Sequence, residues 1–151
     1  MTKQNFEIRR ITPADDLAAI VANINRAKFG KDNELEDFTA EALRKCVENP
    51  ENIYLVAYDG DKPAGLSYAM TIPSPDGDHW LYVDQVDTHP DYRRQGIGKQ
   101  LLEELLKFGK EHGLCEMWLA TEHDNLPAQA LYQSLDPSKS EKLTDYTYKI
   151  K

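Results

Sequence analysis

The sequence is poor in cysteine and has no long apolar run. Its two cysteines, Cys46 and Cys115, lie far apart and show no metal-ligand spacing, so both are expected to be buried free thiols in a reducing compartment, with neither a metal site nor a disulfide framework. No apolar stretch reaches the length of a membrane-spanning helix, and residues 1–5 lack the apolar core of a signal peptide. These absences predict a cytoplasmic protein with no membrane partner.

Positive charge is also scarce. The chain carries 26 acidic and 18 basic residues, which gives a formal net charge of -8 at pH 7. The phosphates of a nucleic acid would be repelled over most of such a surface, so nucleic acid is disfavoured and neutral or cationic partners are favoured. A length of 151 residues predicts one domain over residues 1–151.

The spacing of apolar residues predicts a sheet that is antiparallel in its first half. A strand ending at Ile11 meets a helix-start signal at Thr12 to Asp16, and Thr39 starts a second helix. Asp59-Gly60 is typical of the tight turn of a hairpin, and a third strand of the same sheet runs from Trp80 to Thr88.

The second half of the chain alternates helices and strands. A helix is predicted from Gly96 to Gly113, followed by a buried strand at Cys115 to Ala120. Asn125-Leu126-Pro127 opens a fourth helix, and the alternation of Tyr146, Tyr148 and Ile150 predicts a last strand. The fold class is therefore α/β, a mixed sheet with a β-α-β crossover in its second half.

The segment from Val86 to Lys99 carries the clearest chemical signal, because a strand end, a bend and a helix start follow one another there. The first amides of a helix have no partner inside the helix, and the helix dipole is positive at that end, so the N–H groups can hold an anion. Gly96 and Gly98 remove β-carbons that would block close approach, while Arg93, Arg94 and Lys99 add positive charge. These features suit a diphosphate, although glycines at a helix start can also serve packing alone.

Arg93-Arg94-Gln95-Gly96-Ile97-Gly98 resembles the Arg/Gln-x-x-Gly-x-Gly/Ala signature of the GNAT superfamily of acetyl-CoA-dependent N-acetyltransferases. The resemblance extends to nearly the whole chain and implies a GNAT-like central sheet of about six to seven strands with four helices. It also implies that the main chain of Val86, Asp87 and Thr88 pairs with the pantetheine arm of acetyl-CoA. The loop amides from Arg94 to Lys99 would hold the pyrophosphate, with no metal required.

A second motif agrees with the first. Asn125-Leu126-Pro127-Ala128-Gln129-Ala130-Leu131-Tyr132 resembles the Asn-x-x-Ala-x-x-Leu-Tyr helix of the same family. The resemblance implies that Tyr132 lies near the cofactor sulfur and protonates the departing thiolate, and that Asn125 contacts the pantetheine or nearby backbone. Tyr132 can also be a half-buried core tyrosine bonded to a carbonyl.

The chain departs from the family after this helix, since Gln133-Ser134-Leu135-Asp136 replaces the usual Gly-Phe continuation. The departure leaves open the shape of that wall of the acceptor pocket. The resemblance also allows a homodimer, with the unusual C-terminal strand as a candidate contact.

Acetylation of an amine needs a group that removes a proton, because a free amine is mostly protonated at neutral pH. Asp84 is the candidate base, since by the period of two along a strand it shares a face with Val86 and Thr88. It can instead be a solvated or turn-stabilising carboxylate. Glu122 and Asp124 can add negative potential for a cationic acceptor or only cap the fourth helix. The four histidines are isolated in the sequence, and none of them is expected to be catalytic.

The expected function is transfer of an acetyl group from acetyl-CoA to a primary amine of a small molecule or peptide. Phe29-Gly30, the acidic balance and the tyrosines of the central strands give a faint likeness to aminoglycoside and polyamine acetyltransferases, so a polycationic acceptor is one option; these tyrosines are Tyr54, Tyr58, Tyr68 and Tyr82. Two alternatives remain open: a non-catalytic acyl-CoA-binding module, and a purely structural domain in which the glycine loop packs a helix on a strand.

Overall fold

The computed structural model describes residues 4–29 and 37–151. Gly30 and most of the polar stretch expected before Asp37 lie outside the described residues. The chain divides into two compact units, Met1–Ala120 and Thr121–Lys151. One domain over residues 1–151 stays a prediction.

The first unit contains a mixed five-stranded sheet in the order β1-β2-β3-β4-β5, with three α-helices. The pairs β1–β2, β2–β3 and β3–β4 are antiparallel, and β4–β5 is parallel. The elements of this unit, in chain order, are β1 (Glu7–Ile11), α1 (Leu17–Ala27), α2 (Ala40–Glu48), β2 (Asn52–Asp59), β3 (Lys62–Pro73), β4 (His79–Thr88), a 3-10 turn at Pro90–Tyr92, α3 (Ile97–Glu111) and β5 (Glu116–Trp118).

Local signals place most of these boundaries. Thr39 caps α2 as predicted, its hydroxyl accepting a hydrogen bond from the Ala42 amide at 3.1 Å. Gly60, at φ 60°, forms the hairpin turn between β2 and β3. Helix α1 begins later than Thr12 because Asp16 is its cap, accepting from the Ala19 amide at 3.1 Å.

Helices α1 and α2 cover one face of the sheet. They contribute apolar side chains to a core whose sheet members alternate along β2 and β3, as the pleat requires. The buried residues of this core are Ile11, Leu17, Val21, Ile24, Phe29, Leu43, Val47, Tyr54, Val56, Tyr58 and Leu66.

Helix α3 covers the opposite face. Its residues Ile97, Leu101, Leu102 and Leu105 are almost completely buried. The start of the helix packs on Gly65 of β3, where a β-carbon would overlap the Cγ2 of Ile97 and lie 3.2 Å from the Cδ1 of Leu101. Thr88, at the end of β4, is the register partner of Gly65, so the end of β4 and the start of α3 are brought together.

Strand β5 differs from its prediction. It is shorter than Cys115 to Ala120, and it is not buried, since Trp118 is 47% exposed. It is the last strand of this sheet, so its outer edge has no strand partner there. The expected burial of both cysteines is also wrong, since Cys115 is exposed and Cys46 is half buried. A short, mostly apolar segment does not show which strands have neighbours on both sides.

The second unit contains α4 (Leu126–Gln133). The predicted strand at Tyr146, Tyr148 and Ile150 is wrong, because residues 137–151 form no regular secondary structure and these three side chains are 74%, 82% and 95% exposed. Alternation tells which side chains would share a face, but a strand also needs a partner for its main-chain hydrogen bonds.

The described residues thus form a mixed sheet with four α-helices, which confirms the predicted fold class with five strands instead of six or seven. In the part of the chain that the structure describes, no helix combines the length and the apolar character that crossing a bilayer demands.

Candidate active site

His89 fixes the exit of β4. Its Nε2 lies 2.6 Å from the carbonyl oxygen of Ala27, and its Nδ1 accepts a hydrogen bond from the Asp91 amide at 3.1 Å. Because Nδ1 accepts a hydrogen bond and Nε2 faces a carbonyl oxygen, the imidazole proton is assigned to Nε2. The imidazole also meets Phe29 edge to face, with ring centroids 5.4 Å apart. His89 therefore has a structural role, because its contacts connect the end of α1 to the end of β4.

Tyr92 fixes the turn that follows. Its hydroxyl donates to the Asp59 carboxylate at 2.9 Å, and its ring packs edge to face on Phe6 at 6.0 Å. The hydrogen bond to Asp59 raises the pKa of Tyr92, because it stabilises the protonated phenol. Two anchors, at His89 and Tyr92, thus hold the chain immediately before the glycine loop.

The loop itself turns through two left-handed residues, Arg94 at φ 62° and Gly96 at φ 81°. For a residue with a β-carbon, such as Arg94, this conformation costs about 1–2 kcal/mol. Residues from Arg93 to Gly96 are all exposed. Backbone strain of this kind is found mainly at functional sites.

The amides at the start of α3 lack partners. Gly96 caps the helix without a side-chain hydrogen bond, and the first bond of the helix runs from the Gln100 amide to the Gly96 carbonyl at 3.0 Å. Within residues 4–29 and 37–151, no acceptor takes a hydrogen bond from the amides of residues 97–99. An anion can therefore be bound there by main-chain donors together with the helix dipole.

Gln100 is a further donor that the sequence motifs did not indicate. Its side-chain Nε2 is enclosed by the protein and has no hydrogen-bond partner among the described residues. It lies 3.9 Å from the position that a β-carbon on Gly96 would take. Its position one helical turn after Gly96 was the available signal, since residues four apart share a helix face.

One edge of β4 is open next to this loop. Strand β5 pairs with β4 only from Trp80 to Tyr82, and the aromatic rings of Tyr82 and Trp118 stack there at 5.0 Å. Beyond Tyr82, the main-chain groups of β4 on that side have no strand partner in the described part of the first unit. The predicted residues Val86, Asp87 and Thr88 all lie on this stretch.

Asp84 lies at an irregularity of β4. Ala69 is the partner of Val83 and Tyr68 is the partner of Gln85, so Asp84 is the extra residue of a β-bulge. The prediction that Asp84 shares a face with Val86 and Thr88 by the period of two is therefore wrong, because the bulge interrupts the alternation. Asp84 is exposed, and its charge is felt at Tyr68, whose pKa is raised chiefly by burial and further by Cys46 and Asp84.

The second motif forms a capped helix in the second unit. The Asn125 Oδ1 accepts from the Ala128 amide at 3.3 Å, and its Nδ2 donates to the Thr121 hydroxyl at 3.1 Å. Tyr132 is half buried on α4. The predicted contacts of Asn125 and Tyr132 with the cofactor stay predictions. Among the residues described, no group of three or more His, Cys, Asp or Glu side chains is arranged to hold a metal ion.

Comparison with known proteins connects this geometry to a family. The profile of the Acetyltransferase (GNAT) family matches residues 18–136. The chain is 30% identical over 135 residues to the thialysine N-epsilon-acetyltransferase of Caenorhabditis elegans, an alignment covering 88% of this chain and 83% of that protein. A shorter match, 46% identical over 46 residues, covers 30% of this chain and 31% of the ribosomal protein bS18-alanine N-acetyltransferase of Escherichia coli K12.

Solved structures show the same fold. An aminoglycoside acetyltransferase, meta-AAC0020, from an uncultured soil metagenomic sample superposes with a TM-score of 0.83 at 21% identity, covering 97% of both chains. The structure of AAC(6')-Iy in complex with a bisubstrate analogue superposes with a TM-score of 0.75 at 17% identity, covering 97% of this chain and 99% of that one.

The family match and the curated relatives identify an acyl-CoA-dependent N-acyltransferase, and the open β4 edge beside a glycine-bearing helix start agrees with that class. The chain belongs to the Acetyltransferase (GNAT) family.

Proposed function

We propose that this enzyme transfers an acetyl group from acetyl-CoA to a primary amine of a small molecule. The observation that carries the proposal is the set of three unpartnered amides at residues 97–99, which follow the open edge of β4 after the 3-10 turn and the glycine loop. A linear ligand with a diphosphate at one end and an amide-bearing arm at the other matches both features.

The loop residues suit the diphosphate of acetyl-CoA. The amides from Arg94 to Lys99 donate hydrogen bonds, and Gln100 adds its enclosed side-chain donor. Arg93, Arg94 and Lys99 supply positive charge in a chain whose net charge is -8. Gly96 leaves open space above the helix start, since a β-carbon there would meet only Gln100.

The open edge of β4 suits the pantetheine arm. Main-chain groups of Val86, Asp87 and Thr88 pair with its amides as an added strand would, a mode of binding that depends on backbone geometry. The bound donor supplies an activated thioester carbon at the end of this arm. The residues of the chain orient it and exclude water around it.

Two residues move protons in the proposed reaction. Asp84, exposed at the bulge, accepts the proton of the incoming ammonium directly or through water, which leaves the neutral amine. Tyr132 donates a proton to the departing thiolate, as the resemblance of its motif implies.

The acceptor is proposed to be a small molecule because the relative aligned over most of the chain is named for acetylation of thialysine, an amine of that size. A peptide amine is the second candidate, supported by the shorter match to a ribosomal-protein alanine acetyltransferase.

Two measurements test the proposal. Calorimetry with acetyl-CoA measures whether the amides at the start of α3 bind the donor. No heat of binding would contradict both hypotheses, the enzyme and the non-catalytic acyl-CoA-binding module. A screen of acetyl-CoA consumption across polyamines, aminoglycosides, amino acids and peptides then identifies the acceptor. Binding of acetyl-CoA without consumption on any amine would favour the non-catalytic module.

A further inference from the structure

Four polar side chains form a cluster on the sheet face that α1 and α2 cover. Tyr54 of β2 is the register partner of Tyr68 of β3, which is the register partner of Gln85 of β4. The two tyrosine rings are tilted, with centroids 6.0 Å apart. Gln85 donates from its side chain to the carboxylate of Asp87, two residues further along β4. Tyr54, Tyr68, Gln85 and Asp87 are called the tyrosine row below.

The Tyr54 hydroxyl has no partner. Tyr54 is only 4% exposed, and its hydroxyl is enclosed without a hydrogen bond among the described residues. A buried polar group left unpaired costs about 1–3 kcal/mol. Burial raises the pKa of Tyr54, and the charge of Asp87 raises it further, so the hydroxyl and the carboxylate lie within electrostatic range of each other. The Tyr54 hydroxyl is thus an unsatisfied polar group close to the negative charge of Asp87.

The charge at this place is negative and uncompensated. Neither Asp84 nor Asp87 has an ion-pair partner in the described part of the chain, although Asp87 is half buried. The basic residues of the glycine loop belong to the next segment, from Arg93 onward. An ammonium group donates hydrogen bonds to carboxylate and phenol oxygens and is attracted to the faces of aromatic rings.

We propose that the tyrosine row binds a second ammonium group of the acceptor, so that the enzyme selects diamines over monoamines. This inference rests on the proposed function. The main chain of Asp87 serves the donor at the open edge of β4, while its side chain faces the α1 and α2 side, where it accepts from Gln85 and has no cationic partner among the described residues. Asp87 lies three residues after Asp84, and the bulge at Asp84 makes the distance along the strand two to three strand rises. If each carboxylate binds one amine of the acceptor, the two amines lie about 7–10 Å apart.

The test compares 1,5-diaminopentane with 1-aminopentane, which differ only in the second amine. A charge-assisted hydrogen bond of about 1.5–3 kcal/mol corresponds to a preference of about 10- to 100-fold in kcat/KM for the diamine. In Asp87→Asn, the preference is expected to fall to about twofold or less; it is measured as the ratio of kcat/KM for the two amines within one variant, so that any change in donor binding affects both amines and cancels.

The control variant is Asp61→Asn, which removes an exposed carboxylate from the β2–β3 turn. It lowers the net negative charge by the same amount and is expected to keep the full preference. Equal loss in both variants would show that overall charge selects the diamine and would overturn the proposal. No preference in the wild-type enzyme would overturn it as well.

A second variant, Tyr54→Phe, keeps the ring and removes the unpaired hydroxyl. We expect a higher Tm for the unliganded protein together with a weaker diamine preference. A higher Tm with an unchanged preference would remove Tyr54 from the subsite.

If the wild-type protein acetylates neither amine, the proposed function fails. The subsite is then tested by calorimetric titration of 1,5-diaminopentane into the protein with CoA present. Binding that is lost in Asp87→Asn and kept in Asp61→Asn supports the subsite, and absence of binding overturns it.

Discussion

Gly65 of β3 lies beneath Ile97, the first residue of α3, so closely that no β-carbon fits between them. This contact sets the height of the helix start above the sheet and therefore the position of the three unpartnered amides. A glycine in the middle of a strand is otherwise unfavourable. Here its absent side chain lets the anion site and the open edge of β4 meet.

Gly65→Ala is expected to destabilise the protein by about 1–3 kcal/mol, the usual range for overpacking, and to weaken acetyl-CoA binding. Thermal unfolding and calorimetry measure the two effects. Gly109→Ala, in the helix that packs on Gly65, is the control, because a β-carbon there meets Leu114 only at 3.9–4.0 Å. Unchanged acetyl-CoA affinity in a folded Gly65→Ala variant would contradict the role given to this contact.

A comparison of Gly96→Ala with Gly77→Ala separates the cost of backbone strain from the effect of a β-carbon on acetyl-CoA binding. Gly96 and Gly77 both have positive φ, 81° and 96°, with space for a β-carbon, so alanine at either position is expected to cost about 1–2 kcal/mol of stability. Only Gly96→Ala is expected to weaken acetyl-CoA binding, by about tenfold or roughly 1.4 kcal/mol. Equal affinity in the two variants would place the diphosphate elsewhere.

Asp84→Asn is expected to slow acetylation by about 100-fold at neutral pH, the lower range for loss of a general base. The deficit shrinks as pH rises, because more of the acceptor amine is already neutral. The pH profile of kcat/KM measures this effect. A deficit that stays constant with pH would remove Asp84 as the base.

Tyr132→Phe is expected to lower kcat by about 100-fold while the Kd of acetyl-CoA changes by about twofold or less. The phenol is needed only when the thiolate leaves, so binding of the donor does not depend on it. Turnover and calorimetry measured on the same preparation separate the two quantities. Unchanged turnover would assign the proton to another group.

Tyr54 is expected to make the free energy of unfolding fall as the pH rises into the alkaline range. Its pKa is raised in the folded protein above the value of about 10 for an unfolded tyrosine, so the folded state keeps the proton longer. Its contribution to stability is complete below pH ~10 and is lost as pH rises from there towards the folded pKa. Denaturant unfolding at pH 8 and pH 11 is expected to show a smaller loss in Tyr54→Phe than in the wild type. An equal loss in both proteins would contradict this assignment.

The sequence predicted the features that depend on neighbouring residues. Thr39 as a helix cap, Gly60 in a hairpin and Gly96 at a helix start are local, since each is decided by a few consecutive side chains and one backbone conformation. The family motif likewise lies on one continuous segment, from Arg93 to Gly98.

Features that depend on strand pairing were missed. The bulge at Asp84 appears only when the register with Tyr68 and Ala69 is known. The tyrosine row crosses three strands, so no spacing along the chain joins its members. The expected strand from Tyr146 to Ile150 failed for the same reason, because alternation specifies a face and not a partner.

The two halves of the proposed reaction use different parts of the polypeptide. In the proposal, acetyl-CoA would be bound mainly by main-chain groups of β4 and the start of α3, which are the same for nearly any amino acid that keeps the backbone shape. The second ammonium group of the acceptor would be bound by the side chains of Tyr54, Tyr68, Gln85 and Asp87, each of which one point mutation can replace. Evolution, or an engineer, can therefore change which amine is modified while the donor specificity is inherited intact.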